Sequence, residues 1–251
     1  MKMFVHQLRG EQRLYWRSRE LAFFTFLFPL VIFALLGSVY GDEINKKEHV
    51  KNSAYLLAGI LGYGIASTAF AGLAIIVVLR REGGIIKRLR ATPLPPVTYL
   101  AALIASVLVV FAIEAAALIL LARLMFHVHL PTQWLSLVLA LLLSTLSFAA
   151  LGIALTGFIR TDEGASAVVN VIYLPTTFLA GSFWTTKAYP HFLQVIADIL
   201  PLTYCIRLMR DVAVRNETIW ASWHSAAVVA AWGLGGLIVA VRTFRWEPRE
   251  G

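Results

Sequence analysis

The chain has 251 residues, 59% of them hydrophobic and only 14% charged, with a mean hydropathy of +0.75. Soluble domains are nearer half apolar and a quarter charged, so this composition excludes a water-soluble fold and describes an integral membrane protein. The net charge of +8 would suggest nucleic acid in a soluble protein. Here the cations stand at the ends of apolar runs, where topology and anionic lipid account for them, and no nucleic-acid partner is expected.

Residues 1–20 form an element of their own. Phe4, Leu8 and Tyr15 lie near one helical face, while Arg9, Arg13 and Arg17 recur every four residues on another. That pattern predicts a cytoplasmic amphipathic helix lying in the headgroup layer. A solvated basic tail is the plainer alternative, but it leaves Phe4, Val5, Leu8, Tyr15 and Trp16 unaccounted for. The first apolar run starts only at Leu21, is about span length and lacks a small-residue cleavage site, so no cleaved leader is expected.

A bilayer core takes about twenty helical residues. Stretches 21–40, 54–79, 97–126, 134–159, 165–183 and 220–241 qualify, and strand alternation is absent. The fold expected over residues 21–251 is therefore a single all-α domain of six transmembrane helices. Pro29 and Pro175 fall inside spans, where a kink is tolerated if neighbours cover the freed carbonyl.

Between the second and third spans lies Arg80-Arg81-Glu82-Gly83-Gly84-Ile85-Ile86-Lys87-Arg88-Leu89-Arg90, with five cations in eleven residues. Such a segment cannot sit in hydrocarbon. It also places Ile85, Ile86 and Leu89 near one face of a short helix, the character of a docking surface over residues 80–95. A purely topogenic basic turn is the alternative. With the N-terminus inside, fourteen of the 22 Lys and Arg fall on the same side, which puts both termini in the cytoplasm.

Glu114 is the one acid deep inside a span. Burying it in hydrocarbon costs about 3 kcal/mol, so it faces protein or water, or is held protonated. Arg123 stands nine residues on, about 900° of helix rotation, and points the opposite way. Glu114 is thus either a lining residue of a translocation path or a packed acid inside the bundle. His127 and His129 share a short loop without the features of a metal site, and no metal is expected. Small residues recur every four positions in Ala58-Gly62-Ala66, Gly64-Thr68-Gly72 and Ala227-Ala231-Gly235, faces suited either to packing within the chain or to a homodimer seam.

Residues 185–218 are more than a loop. Phe192, Val195, Ile196 and Ile199 have helical spacing, Pro201 interrupts, and Tyr204, Leu208 and Val212 resume it, with Pro190 at the start. Asp198, Arg207, Arg210 and Asp211 argue against a full span, so a re-entrant pair of short helices at the outer leaflet is predicted. The lone Cys205 excludes an intrachain disulfide and a cysteine metal cage. No GxSxG, HExxH or GxxxxGK[ST] pattern occurs. The chain is not expected to be an enzyme or to bind ATP through a P-loop of its own, and energy for uphill transport must come from a partner or an ion gradient.

The run Ile159-Arg160-Thr161-Asp162-Glu163-Gly164-Ala165-Ser166-Ala167, then Tyr173-Leu174-Pro175 and Phe178-Leu179-Ala180-Gly181-Ser182-Phe183-Trp184, resembles the signature region of ABC exporter permeases of type 2. Tyr189-Pro190-His191-Phe192-Leu193-Gln194, Leu200-Pro201-Leu202-Thr203-Tyr204 and Arg210-Asp211 continue it in order. Members often carry Ser-Gly at Ala180-Gly181 and proline at Thr185, which leaves open how sharply the chain turns into the hairpin.

The resemblance implies a type V exporter-like half-transporter: two permease chains, identical or paralogous, each bound to a cytoplasmic ABC ATPase that holds the ATP and magnesium. It makes residues 81–90 the coupling segment, with Ile85, Ile86 and Leu89 entering a groove on the ATPase and Arg81, Lys87, Arg88 and Arg90 meeting its rim or the headgroups. The expected cargo is a compact amphiphile, with antibiotic or drug efflux through the bacterial inner membrane favoured. Lipid or lipid-linked glycan export, a proton-coupled transporter using Glu114 and a non-transporting scaffold stand as alternatives.

Overall fold

A computed structural model describes residues 2–41, 43–45, 50–92 and 94–244. Lys46, Lys47, Arg245 and Arg249, which entered the charge count, lie outside the described residues, as does the side chain of Arg90.

Helix α1 (Lys2–Arg17) is followed by the short α2 (Arg19–Ala22) and then by a π-helical turn, Phe23–Leu27, that opens directly into α3 (Phe28–Tyr40). The N–H of Phe28 donates to the carbonyl of Phe23, five residues back. That widened turn immediately precedes Pro29, whose ring would otherwise meet the carbonyl four residues earlier. A two-residue antiparallel ladder, β1 (Ile44–Asn45) against β2 (Val50–Lys51), closes the loop that follows.

Helix α4 (Asn52–Ile65), a second π-helical stretch (Ala66–Gly72) and α5 (Leu73–Glu82) form one continuous span, the most buried of the molecule's long apolar helices. A turn at Gly83-Gly84 leads to α6 (Ile85–Arg90). The long α7 (Pro96–Phe126) ends where His127 takes a left-handed conformation at φ 53° and its N–H donates to Ala122 O. His127 is therefore a helix cap. Helix α8 (Trp134–Thr156) is followed by α9 (Asp162–Leu179), which starts three residues before its apolar run because Thr161 Oγ1 accepts the N–H of Gly164.

Gly181, at φ +84°, and Thr185, at φ −68°, then turn the chain into α10 (His191–Ile199). A φ of −68° is what a proline would impose, so Thr185 makes the same turn by its own choice. Helix α10 meets α11 (Pro201–Ala213) at 85°, with Pro201 in the first position of the second helix. Helix α12 (Trp223–Thr243) completes the described bundle.

Five helical segments are long and apolar enough to cross a bilayer, or six if the bent α10–α11 pair is one. Helix α9 opens on Asp162 and Glu163 and is not among the five. The apolar core runs along α4 and α5 and takes in α7, α8 and α11, while long rows of Leu, Val and Phe face outward on α3, α8, α9 and α12. A water-soluble fold would hide those rows; a bilayer solvates them.

The glycines of the second span serve packing within the chain. A Cβ on Gly59 would lie 1.9 Å from Ser182 O, on Gly62 2.4 Å from Ile206, and on Gly64 2.3 Å from Glu114 Oε1. Gly59→Ala should therefore lower stability by about 2 kcal/mol. Gly10→Ala, at a half-buried position inside α1 with nothing near its Cβ, should raise it by up to about 1 kcal/mol. Thermal unfolding of the purified protein in detergent distinguishes the two.

Candidate functional site

The candidate coupling residues gather where α5 ends. Arg80 and Arg81 are consecutive, so their side chains leave the helix about 100° apart and reach different neighbours. Arg80 donates through Nη1 to Glu11 Oε1 (2.9 Å) and through Nη2 to Glu11 Oε2 (2.8 Å), a two-pronged ion pair to α1. Its Nη1 also donates to the Tyr99 hydroxyl on α7 at 3.2 Å. Glu11 is only 3% exposed and Arg80 12%. Gln7 donates to the Glu11 carboxylate at 2.8 Å, and Gln12 donates to both the carbonyl and the hydroxyl of Ser106 at 2.9 Å. The helix expected to float on headgroups is thus bolted through its polar residues to α5 and α7.

Arg81 turns the other way and is 1% exposed. Its Nη1 donates to Thr156 O (2.8 Å), its Nη2 to Ile159 O (2.7 Å) and its Nε to Glu82 Oε1 (2.7 Å). Thr156 is the last residue of α8, where helix carbonyls lack intrahelical partners and the macrodipole favours a cation, and Ile159 follows three residues beyond. Arg81 caps α8 from a neighbouring helix. This corrects the sequence reading of Arg81 as a rim residue: it is a buried clamp, and Glu82 is its counter-ion.

Beyond this junction Gly84 adopts φ +70°, a left-handed conformation that glycine takes without strain, and α6 hangs from it. The three aliphatics of α6 do not share one outward face. Ile86 is fully buried and Leu89 is packed against the core, whereas Ile85 is 47% exposed beside exposed Lys87 and Arg88. Positions three apart share a helix side and adjacent ones do not. Ile86 and Leu89 therefore anchor α6, and Ile85 with Arg88 is what it presents. Next to it, Lys2, Met3, His6 and Gln7 of α1 and Leu89, Thr92 and Leu94 line a shallow depression of about 480 Å³.

Under the junction lies a cavity of about 50 Å³, bounded by Glu11, Tyr15, Thr25, Thr68, Arg80 and Ser106 among others. It has room for about one water. Burial pushes the Tyr15 phenol up to about 12, so it stays neutral at that wall. On the far side Thr68 Oγ1 donates to Glu114 Oε2 at 3.1 Å. Glu114 is fully buried, and the backbone at Gly64 closes over its other oxygen. Its partner is the π-helical stretch of the second span, an arrangement that fits the packed-acid alternative.

The predicted hairpin residues lie away from this junction. Pro190 is the N-cap of α10, and Arg207 on α11 pairs with Asp198 on α10 across the bend. Arg210 stands 4.0 Å over the Tyr55 ring, and Asp211 accepts from Arg215 at 2.9 Å. Arg207 and Asp198 are both exposed, so their pair adds little stability.

Residues 4–214 match the ABC-2 type transporter family. The chain belongs to that family. It is 23% identical over 202 residues to the putative transport permease YvfS of Bacillus subtilis (strain 168), covering 80% of this chain and 81% of the relative. To the inner membrane transport permease YadH of Escherichia coli (strain K12) it is 23% identical over 179 residues, covering 69% and 68%. A shorter match, 30% identical over 100 residues, covers 39% of the chain and 38% of nodulation protein J of Rhizobium leguminosarum bv. trifolii. The protein is accordingly a multi-pass membrane transport permease of a family whose members associate with an ABC ATPase.

Residue spacing did not single out Glu11, Gln12 or Tyr99, and it marked Thr68 only as a small residue of a packing face, not as the partner of Glu114. One signal for the first was present: Glu11 is the only acid before Glu20, and it stands on the Phe4–Leu8–Tyr15 side, not among the arginines. Glu11→Ala should cost about 3 kcal/mol by leaving Arg80 buried without its carboxylate, and the double change Glu11→Ala/Arg80→Leu should recover part of that loss. A double-mutant cycle on unfolding temperature in detergent measures both.

Proposed function

We propose that this chain is the membrane subunit of an ATP-driven exporter, coupled through α6 to a separate cytoplasmic ABC ATPase. The observation that carries the reading is the Arg80–Arg81 junction, which ties the base of α6 to α1, α7 and α8 at once. A displacement of α6 must then move three helices together. Ile85, Lys87 and Arg88 are the residues of α6 that reach the ATPase. The depression between α1 and α6 and the loop of residues 160–164 complete the docking face.

On this reading two copies of the chain, or the chain and a close paralogue, work with two ATPase subunits that bind ATP and magnesium. Both termini are cytoplasmic. Six helices cross the bacterial inner membrane, α9 being the fifth, and the α10–α11 pair enters the outer leaflet without crossing. The substrate is a small amphiphile, with drug or antibiotic efflux preferred to lipid-linked glycan export. Support comes from a column of aromatic contacts, in which Tyr63 meets Tyr173 (5.9 Å) and Phe183 (5.7 Å), and Phe183 meets Trp184 (5.8 Å). The column reaches a cleft of about 290 Å³ at Tyr40, Asn52, Tyr55 and Trp184, whose lining suits flat apolar molecules with a few polar groups.

Ile85→Asp should abolish co-purification with the ATPase, or transport-coupled hydrolysis, while folded yield stays at the wild-type level. Ile86→Asp buries an unpaired carboxylate and should instead lose about 3 kcal/mol or more of stability. Pull-down with the ATPase and fluorescence-detected gel filtration separate the two outcomes. Normal transport by Ile85→Asp and by an Arg88→Glu variant would remove α6 from the coupling role. Glu114→Gln, which keeps shape and an acceptor for Thr68, should leave both stability and transport within about two-fold of wild type; vesicle uptake tests this, and abolished uptake would restore the proton-coupled alternative.

A further inference from the structure

A groove of about 720 Å³ lies between α8, α9 and α12, and its lining ends at Phe158, next to the Ile159 whose carbonyl Arg81 holds. Its walls include Phe148, Leu155 and Phe158 on one side and Trp232, Gly235 and Val239 on the other, with Tyr173 and Thr176 the only side chains along it that carry an oxygen. Helices α8 and α12 run parallel and in step. A Cβ on Gly233 would touch Ser147, on Gly236 Leu151 and on Gly157 Thr243. One end of the groove is therefore at Phe148 and Ala231, the other at Phe158 and Val239.

The bend at Leu200, Pro201 and Leu202 closes the first end. Its level is set by Ile206 against Gly62, which brings Leu202 to Ala66, near the middle of the span Asn52–Glu82. From Phe148 to Phe158 is about 15 Å of helical rise, half of a hydrocarbon core about 30 Å thick. The groove is one leaflet deep. At its open end Arg242 follows Val239 by one turn and Arg160 follows Phe158 by two residues; both are exposed, and neither makes an ion pair among the described residues. Asp162 and Glu163 stand just beyond, and the Asp162 carboxylate is engaged by the N–H of Glu163.

We propose that this groove seats one acyl chain of an anionic phospholipid from the leaflet on the side of residues 80–90, with its phosphate at Arg160 and Arg242. The apolar wall and leaflet depth match an acyl chain, and the basic mouth matches a headgroup phosphate. A second copy of this chain fits less well. A two-fold contact through this face would bring Arg160 and Arg242 of both copies, four like charges, to the same end of the interface.

The discriminating position is Gly235, where an added Cβ meets nothing within 4 Å. Gly235→Trp fills the groove without displacing backbone. The full chain is purified in mild detergent, titrated with phosphatidylglycerol or phosphatidylcholine, and its lipid adducts counted by native mass spectrometry. Wild type should hold phosphatidylglycerol in preference. Gly235→Trp should lower its occupancy about ten-fold, the loss expected when about two acyl methylenes are excluded. Arg160→Ala/Arg242→Ala should keep chain binding but lose the preference over phosphatidylcholine. Unchanged adducts in Gly235→Trp overturn the proposal, as does a loss of dimer with adduct number unchanged, which would make the face an interface between copies. Should Gly235→Trp fold poorly, phosphatidylglycerol with brominated acyl chains should quench the fluorescence of half-exposed Trp232, read as wild type minus Trp232→Phe; no difference is equally fatal.

Discussion

Two neighbouring arginines at the end of the second span govern how the rest of this molecule is put together. A guanidinium at the edge of a bilayer can reach water, lie among headgroups or be satisfied by protein. Here both are satisfied by protein, Arg80 by a carboxylate and a phenol, Arg81 by two helix-end carbonyls and a carboxylate. The acceptors Glu11, Thr156 and Ile159 belong to parts of the chain that would otherwise be free at that surface, the N-terminal helix and the end of α8 with the residues just after it, while Tyr99 adds α7. Charge-assisted bonds in a water-poor site are among the strongest that side chains make, and breaking one partner strands the other. The junction therefore fixes the relative positions of α1, α5, α7 and α8, and α6 inherits that frame through a glycine hinge.

The opposite strategy holds along the bilayer itself. There the second span packs by subtraction of side chains, with Gly59 under Ser182, Gly62 under Ile206 and Gly64 under Glu114. Within hydrocarbon no hydrophobic force draws helices together, so close backbone approach and dispersion must do it. The two π-helical stretches belong to the same design. The first precedes Pro29; the second carries Thr68 to Glu114. Each widens the helix locally where a regular one would leave a clash or an unpaired acid.

Much of the architecture was legible before any coordinates. Long apolar runs announce helices because the bilayer permits little else, and Gly83-Gly84 after Arg80-Arg81 announces a reversal because glycine takes the φ of +70° found at Gly84 without strain. The break between α10 and α11 was legible through Pro201, which interrupts the apolar spacing where the two helices meet at 85°. What was not legible was direction. Composition treats Arg80, Arg81, Lys87 and Arg88 as one basic patch, yet the first two point into the protein and the last two out of it. Ile85 and Ile86 are alike as residues and opposite in role, since a single step along a helix changes face. The partners that decide direction, Glu11 at a separation of 69 residues and Thr156 at 75, share no local pattern with the arginines they satisfy.

The uneven distribution of polar bonds along the membrane normal bears on how such a permease could move. Near α6 the helices are joined by ion pairs and by side-chain-to-backbone hydrogen bonds, which are short-ranged and geometrically strict. Toward the other end the contacts of α11 with α4 include Ile206 on Gly62 and the face of Tyr55 under Arg210, apolar packing and a cation–π contact that constrain direction less than the bonds at Arg80 and Arg81. A force applied at α6 would then turn the locked helices as one body while the α11 side yields. Rocking of that kind requires a surface that is smooth and re-solvated at little cost as helices shift. The apolar groove beside α12 has those properties, and a lipid chain seated in it would fill changing space without demanding any fixed bond.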